Sequence, residues 1–195
     1  MTPTVTALRV RKRGRIAVEL DGEAWRVLPA DAVVRAGLAP GRRLDRPAAR
    51  ELAREVRRAK ALAAATRSLA ASDQSQQALE ERLTRAGHST AAREDALAAL
   101  DRAGLLDDAR LAQGRAELLA RRGYGDAAIR ADLRRRLIPV EAAAHAVAGL
   151  EPELDRTRRL LESKSLTPAL LRRLAGRGFS RDTLDELASA FAHEA

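Results

Sequence analysis

Residues 104–133 read GLLDDARLAQGRAELLARRGYGDAAIRADL, and this stretch decides the fold. One helix start at Asp107 and a second after Gly125 lie one helix length apart, with Gly-Tyr-Gly at the corner between them. Aspartate is a preferred N-cap, and glycine is preferred just beyond a helix. The stretch therefore predicts two helices joined at a tight corner. Asp107 and Asp108 are interpreted as caps and not as a catalytic pair, because adjacent helical residues diverge by about 100°.

The same helical plan recurs before and after this stretch. Leu79, Ile129 and Leu170 are equivalent, at offsets of 50 and 41 residues, and a leucine follows each of them four positions later. Nine helices are predicted, over 47–70, 75–86, 90–103, 107–122, 125–137, 139–149, 153–164, 168–176 and 181–192. They group into three tandem three-helix units at 47–103, 104–150 and 151–195, whose apolar faces cover one another.

Residues 1–46 have a different pattern and form a separate, basic β-rich region. Apolar and polar residues alternate, with Val5, Ala7, Ile16, Val18 and Leu20 predicted on one face. Turn signals at 13–14 and 21–22 divide the segment into three antiparallel strands, and 30–36 is predicted to be a short helix. The predicted fold class is mainly α with a small N-terminal antiparallel β-sheet, followed by an elongated array of three three-helix units.

Composition argues against most classes of enzyme. The chain has no cysteine, which excludes disulfides, thiolate metal sites and a cysteine nucleophile. Its three histidines lack metal-ligand spacing, and phosphate-loop, dinucleotide and nucleophile-elbow motifs are absent. We expect no enzyme activity, no cofactor and no metal. No apolar run has the length of a signal peptide core or a membrane span, so we expect a soluble, cytoplasmic monomer without membrane contact.

The net charge of +9 is concentrated in the first third of the chain. Residues 1–60 contain 15 Lys and Arg against 7 Asp and Glu, a net charge of +8. The candidate phosphate-binding residues in this region are Arg9, Arg11, Lys12, Arg13 and Arg15. Arg9, Arg11 and Arg13 alternate, so they would share one face of a strand. The alternative is an edge strand that is charged to prevent aggregation.

Further basic candidates lie in the second and third units. They are Arg121, Arg122, Arg130, Arg134, Arg135 and Arg136, with a weaker copy at Arg172, Arg173 and Arg177. Together with the N-terminal sheet they would line one concave side of the array. The alternative for each cluster is a solvated face, partly paired with Asp126 and Asp132. Tyr124 is interpreted as a ring that wedges between helices of the middle unit, with ligand stacking as the alternative.

These features resemble the RecX family of RecA recombinase regulators, in a longer form with a β-rich N-terminal extension. The resemblance covers nearly the whole chain and is most specific in the middle unit. The matching residues there are Gly104, Leu106, Asp107, Asp108, Arg110, Leu111, Ala112, Arg121, Arg122, Gly123, Tyr124, Gly125, Ile129, Arg130 and Leu133. Three positions depart from the family pattern: Leu111 replaces the usual Phe, Asp126 a common Pro, and Leu137 the Gly that usually closes the helix.

The resemblance implies a non-catalytic regulator that lies in the groove of the RecA–single-stranded DNA filament. Such proteins reduce the ATPase, strand-exchange and coprotease activities of RecA, and so modulate recombination, DNA repair and the SOS response. Contacts with single- or double-stranded DNA would be made to phosphates, with little sequence specificity. The first alternative is a stand-alone DNA-binding protein that uses its three-helix units like helix-turn-helix modules. A helical-repeat adaptor for another partner is the second.

Overall fold

The computed structural model describes residues 2–161 and 166–193. Three strands open the chain: β1 (Val5–Arg11), β2 (Arg15–Leu20) and β3 (Glu23–Pro29). They form an antiparallel sheet in the order β1-β2-β3, which confirms the predicted N-terminal sheet. Tight turns at Arg13 and Asp21, both with positive φ, join the strands where the sequence predicts them.

Ten helices follow within the described residues. They are α1 (Ala30–Arg35), α2 (Arg46–Ala71), α3 (Gln76–Arg85), α4 (Thr90–Arg102), α5 (Asp108–Arg121), α6 (Asp126–Arg135), α7 (Val140–Ala148), α8 (Glu153–Leu161), α9 (Pro168–Gly176) and α10 (Arg181–His193). The mainly helical fold class is therefore confirmed. The predicted end of α8 at residue 164 lies outside the described residues. No helix of the described chain is long and apolar enough to cross a membrane.

The chain divides into two compact units. The first contains the described residues up to Ser72 together with Leu79–Leu105, and the second contains Asp73–Ala78 and the described residues from Leu106 onward. The predicted boundaries of three three-helix units, at 47, 104 and 151, stay a prediction.

In the first unit the sheet packs against α1 and the first half of α2. Val5, Val18, Val33 and Leu52 are almost fully buried in this core. A register shift between Val5 and Ala7 places Ala7 opposite Glu19, on the face away from Leu8 and Val18. The prediction that Ala7 shares a face with Val5 and Val18 is therefore wrong, because a bulge reverses the alternation of the strand.

In the second unit two hydrophobic cores follow each other along the chain. Helices α5, α6 and α7 share the core around Ile129, Leu133 and Val147. Helices α8, α9 and α10 share the core around Leu174, Phe179 and Leu187. The core of α5, α6 and α7 combines leucine and isoleucine with several alanines, whereas the core of α8, α9 and α10 consists of leucines and Phe179.

Left-handed backbone at the helix ends explains the glycine pattern of the repeat. Gly87, Gly123 and Gly178 have positive φ just beyond α3, α5 and α9, as residues in C-terminal caps do. Leu137 occupies the corresponding place after α6 and has φ 56°. Leu137 thus adopts the left-handed conformation although its side chain disfavours it, at a cost of about 1–2 kcal/mol in folding free energy.

Candidate partner-binding surfaces

The predicted basic strip of the N-terminal sheet is only partly formed. Arg9 and Arg11 both lie in β1, on the same face as Arg15 of the neighbouring strand. Arg13 has φ 62° and lies in the turn with Lys12, so the prediction that it continues the alternation of Arg9 and Arg11 is wrong. A left-handed turn residue interrupts the two-residue period of a strand.

Two cations of this strip are engaged within the sheet. Arg9 pairs with Glu19 at 2.6 Å between Nε and Oε1, and this hydrogen bond lowers the pKa of Glu19. Arg15 donates to the carbonyl oxygen of Val27 at 2.8 Å. Within the described part of the chain, Arg11, Lys12 and Arg13 form no ion pair, and all three are exposed. The sheet therefore presents three unpaired cations at the β1–β2 hairpin.

Asp132 organises the arginines around α6. It accepts two hydrogen bonds from Arg115 of α5, at 2.7 and 3.1 Å, and lies 3.0 Å from Nε of Arg136 and 3.3 Å from Nη2 of Arg135. The hydrogen bond from Arg115, followed by that from Arg136, holds the pKa of Asp132 far below its ordinary value despite the opposing effect of burial. Two of the three consecutive arginines predicted as partner contacts are therefore engaged with one carboxylate.

The remaining arginines of α5 and α6 are more available. Arg130 lies 3.6 Å from Asp126, and Arg121 lies 3.7 Å from Glu117, but both arginine side chains remain more than half exposed. Arg134 is exposed and forms no ion pair with any described residue. Exposed pairs of this kind contribute about 0–1 kcal/mol, so a polyanion could displace them.

Tyr124 and Arg177 meet where the middle helices face the last three. The guanidinium of Arg177 lies over the Tyr124 ring, 5.7 Å from its centroid, and also reaches the carbonyl oxygens of Arg122 and Gly123 at 3.4 Å. Tyr124 is 37% exposed. The expectation that its ring wedges between helices of the middle unit is therefore wrong, because Arg177 covers one side of the ring and solvent reaches the remainder. Arg172 and Arg173 are exposed on α9.

Backbone docks directly on backbone at this junction. Gly125 donates its N–H to Arg177 O at 3.0 Å, and Ala127 donates to Gly178 O at 3.1 Å. A Cβ placed on Gly125 would lie 2.3 Å from Gly178 O, and one on Gly178 would lie 2.4 Å from Ala128 N. No side chain fits at either position. The second glycine of Gly-Tyr-Gly is therefore required by the close approach of two helix ends, and the first by its positive φ.

Glu153 at the start of α8 joins three elements at the same junction. Its carboxylate accepts from Asp126 N at 2.6 Å, from Ser180 N at 2.9 Å and from the Thr183 hydroxyl at 2.9 Å. It thus caps the N-termini of α6 and α10 together. Burial raises the pKa of Glu153, but the hydrogen bonds from Ser180, Asp126 and Thr183 outweigh it, so that the pKa is lowered.

A buried arginine completes this junction. Arg156 is 8% exposed and pairs with Asp126. Its Nε donates to Glu151 O at 2.8 Å, and its Nη1 donates to Tyr124 O at 3.3 Å. Because its guanidinium is buried and engaged by Glu151, Tyr124 and Asp126, Arg156 has a structural role in this junction.

A similar arrangement joins Ser75 and Gln76, at the start of α3, to α5 and α6, and all of these residues belong to the second compact unit. Ser75 caps α3 by accepting from Ala78 N, and its hydroxyl donates to Arg136 O at 2.8 Å. Gln76 N donates to Asp108 at 3.0 Å. Ser75 and Arg136 are equivalent to Gly125 and Arg177 at the repeat offsets of 50 and 41 residues. The start of α3 thus contacts the corner after α6, and the start of α6 contacts the corner after α9. In each case an acidic side chain further along the chain, Asp108 or Glu153, accepts a hydrogen bond from the first backbone N–H of the helix.

Both aspartates of the opening stretch are helix caps, as predicted, but Asp108 caps a different helix from the one that was expected. Asp107 caps its own helix by accepting from Arg110 N at 2.8 Å, and Asp108 caps α3 instead. Sequence reasoning missed the roles of Asp108, Glu153 and Arg156, since nothing local to them indicates a distant partner. The repeat offsets were the available signal for the docking of Ser75 and Gly125.

Among the described residues no cluster of three His, Cys, Asp or Glu side chains could hold a metal ion. A cleft of about 600 Å³ lies in the second unit between α5 and α8, where Leu150 and Leu160 line it beside Arg121 and Arg159. Its charged rim contains Glu117 and Glu151, so its sign is mixed.

Comparisons with solved structures identify the fold. The crystal structure of a regulatory protein RecX matches with a TM-score of 0.79 and 18% sequence identity, over 96% of this chain and 99% of that one. RecX from Lactobacillus salivarius matches with a TM-score of 0.60 and 15% identity, over 70% of this chain and 97% of its own. No family model and no curated protein sequence matches. The chain therefore has the RecX fold, as the resemblance predicts.

Proposed function

We propose that this protein is a RecX-type regulator, which binds the RecA–single-stranded DNA filament and inhibits the recombinase without catalysing a reaction. The observation that carries the proposal is the match of almost the whole chain to a regulatory protein RecX. The middle stretch of the sequence supports it independently, because its capping aspartates and Gly-Tyr-Gly corner perform defined structural roles in that fold.

The arrangement of cations is suited to contact with a polyanionic assembly. Arg130, Arg134 and Arg135 lie on one exposed helix, and their only ion partners among the described residues are Asp126 and Asp132. The arginine side chains of these pairs are more than half exposed, so they can exchange these contacts for contacts with phosphate or carboxylate. Tandem surfaces of this kind add several weak contacts, which gives avidity on a repetitive filament.

The test measures RecA ATPase on single-stranded DNA with increasing amounts of the purified protein. Wild-type protein is expected to inhibit at amounts below that of RecA, and to bind labelled filaments more tightly than the same naked DNA at moderate salt. Absence of both effects would refute the proposal. Tight binding to one duplex sequence would instead support a stand-alone DNA-binding protein, and binding to neither would indicate an adaptor.

A matched pair of variants tests the α6 surface. Arg130→Gln, Arg134→Gln and Arg135→Gln together remove three exposed positive charges, and this triple variant is expected to lose most of the inhibition. The control, Arg82→Gln, Arg85→Gln and Arg102→Gln, removes the same charge from exposed positions of α3 and α4. If the α6 variant inhibits the RecA ATPase as strongly as the control does, the α6 surface is excluded from the interaction and the proposed function stays in place.

A further inference from the structure

Helix α2 carries a continuous basic surface that the sequence patterns did not reveal. Two parts of α2 are buried on different faces. Ala48 and Leu52 pack into the core beneath the sheet, whereas Ala61 further along packs against Ala92 and Ala96 of α4. The helix is thus held at two places along its 26 residues, and a third face remains in solvent.

That third face is occupied by five cations, which we call the α2 ridge: Arg46, Arg50, Arg57, Lys60 and Arg67. All five are exposed. At 100° per residue they fall within about 100° of one another around the helix, and at 1.5 Å per residue they extend over about 31 Å. The other exposed or half-exposed positions of this face are alanines, at 49, 53, 64 and 71.

The acidic residues of α2 lie elsewhere and are already paired. Glu51 pairs with Arg54 at 2.6 Å, and Glu55 pairs with Arg35 at 2.8 Å and Arg58 at 3.5 Å. Within the described residues no acid forms an ion pair with any member of the α2 ridge. The paired charges of α2 and the unpaired cations of the α2 ridge therefore lie on different faces of the helix.

The separation has a physical cost that a partner would offset. Arg46 and Arg50 are four residues apart, and Arg57 and Lys60 are three apart. Like charges at these spacings repel each other and destabilise a helix. A preference for arginine codons would explain arginine in place of lysine. It does not explain why both acidic residues of α2, Glu51 and Glu55, lie away from this face.

We propose that the α2 ridge binds the phosphodiester backbone of single-stranded DNA. A straight row of cations about 31 Å long suits a strand that can extend along it, whereas the phosphates of a duplex curve away from a straight line. The choice of single-stranded DNA as the polyanion rests on the proposed function. The ridge itself is defined by geometry and charge alone.

The test measures binding to a fluorescein-labelled oligodeoxythymidylate by anisotropy, without RecA, over about 50 to 200 mM salt. The variant Arg50→Gln, Arg57→Gln and Lys60→Gln removes up to three phosphate contacts. Since each contact to a single strand contributes about 0.7 to the slope of log K against log salt, the slope should fall by about 2. If binding at 1 M salt is unchanged, affinity at 0.1 M should fall about 100-fold.

The triple variant Arg82→Gln, Arg85→Gln and Arg102→Gln, which has the same net charge, is the control and should retain the slope of the wild type. An equal loss in the control, or an unchanged slope in the ridge variant, would overturn the assignment. A preference of the wild-type protein for a duplex of the same length would also overturn the assignment. The same holds if the ridge variant binds DNA as the wild type does but no longer binds phosphatidylcholine–phosphatidylglycerol vesicles. Glutamine is a good helix former, and circular dichroism checks that both variants fold.

The ridge and the proposed function fail independently. Retained inhibition of RecA by the ridge variant, with weakened binding to naked DNA, would locate DNA contact on α2 and RecA contact elsewhere. Conversely, wild-type protein that binds single strands through the ridge but does not affect RecA would refute the proposed function and leave the ridge assignment standing.

Discussion

Glu153 is the residue whose replacement tests most directly how the helix units of the second compact unit are joined. Its carboxylate accepts three hydrogen bonds, from Asp126 N, Ser180 N and the Thr183 hydroxyl. In Glu153→Gln an amide NH₂ replaces one oxygen, so the side chain keeps its size but loses half of its acceptor capacity.

The expected destabilisation follows from the geometry. If the remaining side-chain oxygen of the Glu153→Gln variant faces Asp126 N, its amide NH₂ faces Ser180 N. The N–H of Ser180 then has no acceptor, whereas the Thr183 hydroxyl can turn away. An unsatisfied donor costs about 1–3 kcal/mol, and bonds to a charged acceptor are the stronger ones. We expect Glu153→Gln to lower the free energy of unfolding by about 2 kcal/mol, which is about 4–8 °C in Tm for a chain of this length.

The control is Glu151→Gln, two residues earlier in the chain, which removes the charge of an exposed carboxylate paired with Arg159. Such an exposed pair contributes at most about 1 kcal/mol. Urea unfolding followed by circular dichroism gives both values, and amide hydrogen exchange at Asp126 and Ser180 reports opening of the junction itself. If Glu153→Gln destabilises no more than Glu151→Gln, the three hydrogen bonds do not hold the junction.

The same interaction predicts a pH dependence. The pKa of Glu153 is lower in the folded chain than its ordinary value, so its contribution is fully present above the unfolded pKa of about 4.3. It is lost as the pH falls through the folded pKa. The stability difference between wild type and Glu153→Gln should therefore be constant near pH 7 and should shrink below about pH 4.

Two further predictions concern backbone geometry at the helix ends, and both are measured by urea unfolding. Gly178→Ala should lower the free energy of unfolding by about 2–5 kcal/mol, because left-handed strain adds to a 2.4 Å clash with Ala128 N. The control Gly87→Ala, at a position with positive φ and open space, should lower it by only about 1–2 kcal/mol. Equal losses in the two variants would contradict the close approach at Gly178. At Leu137, with φ 56°, glycine should be more stable than alanine by about 1 kcal/mol, the reverse of a helix interior; an alanine variant that is the more stable would contradict the assigned strain.

Local signals predicted most elements because they act within a few residues. Periodic leucines, capping residues and glycines placed the helices to within a few residues, except for the end of α8 in the undescribed segment. The turn at Arg13 was also predicted, but its effect on the direction of the Arg13 side chain was not. The register shift beside Ala7 escaped prediction because a bulge leaves no mark in a pattern of alternating residues.

The candidate binding surfaces were less predictable, because the availability of a cation depends on which acid lies near it. Arg9, Arg135 and Arg136 look equivalent to Arg134 in the sequence, yet only the first three have carboxylate partners among the described residues. The α2 ridge was overlooked because its members are spread over 21 positions, and only the burial of the two opposite faces shows that one side remains free.

Sequence alone determined the helices, the N-terminal sheet, the left-handed helix ends and the resemblance to RecX, since each depends on local periodicity or on backbone preference. Tertiary structure decided why Gly125 must be glycine, which helices Glu153 and Asp108 cap, and which arginines remain free. The physical reason is that these properties belong to pairs of groups far apart in the chain. Their distances are set only when helix ends dock, and no local propensity encodes that distance.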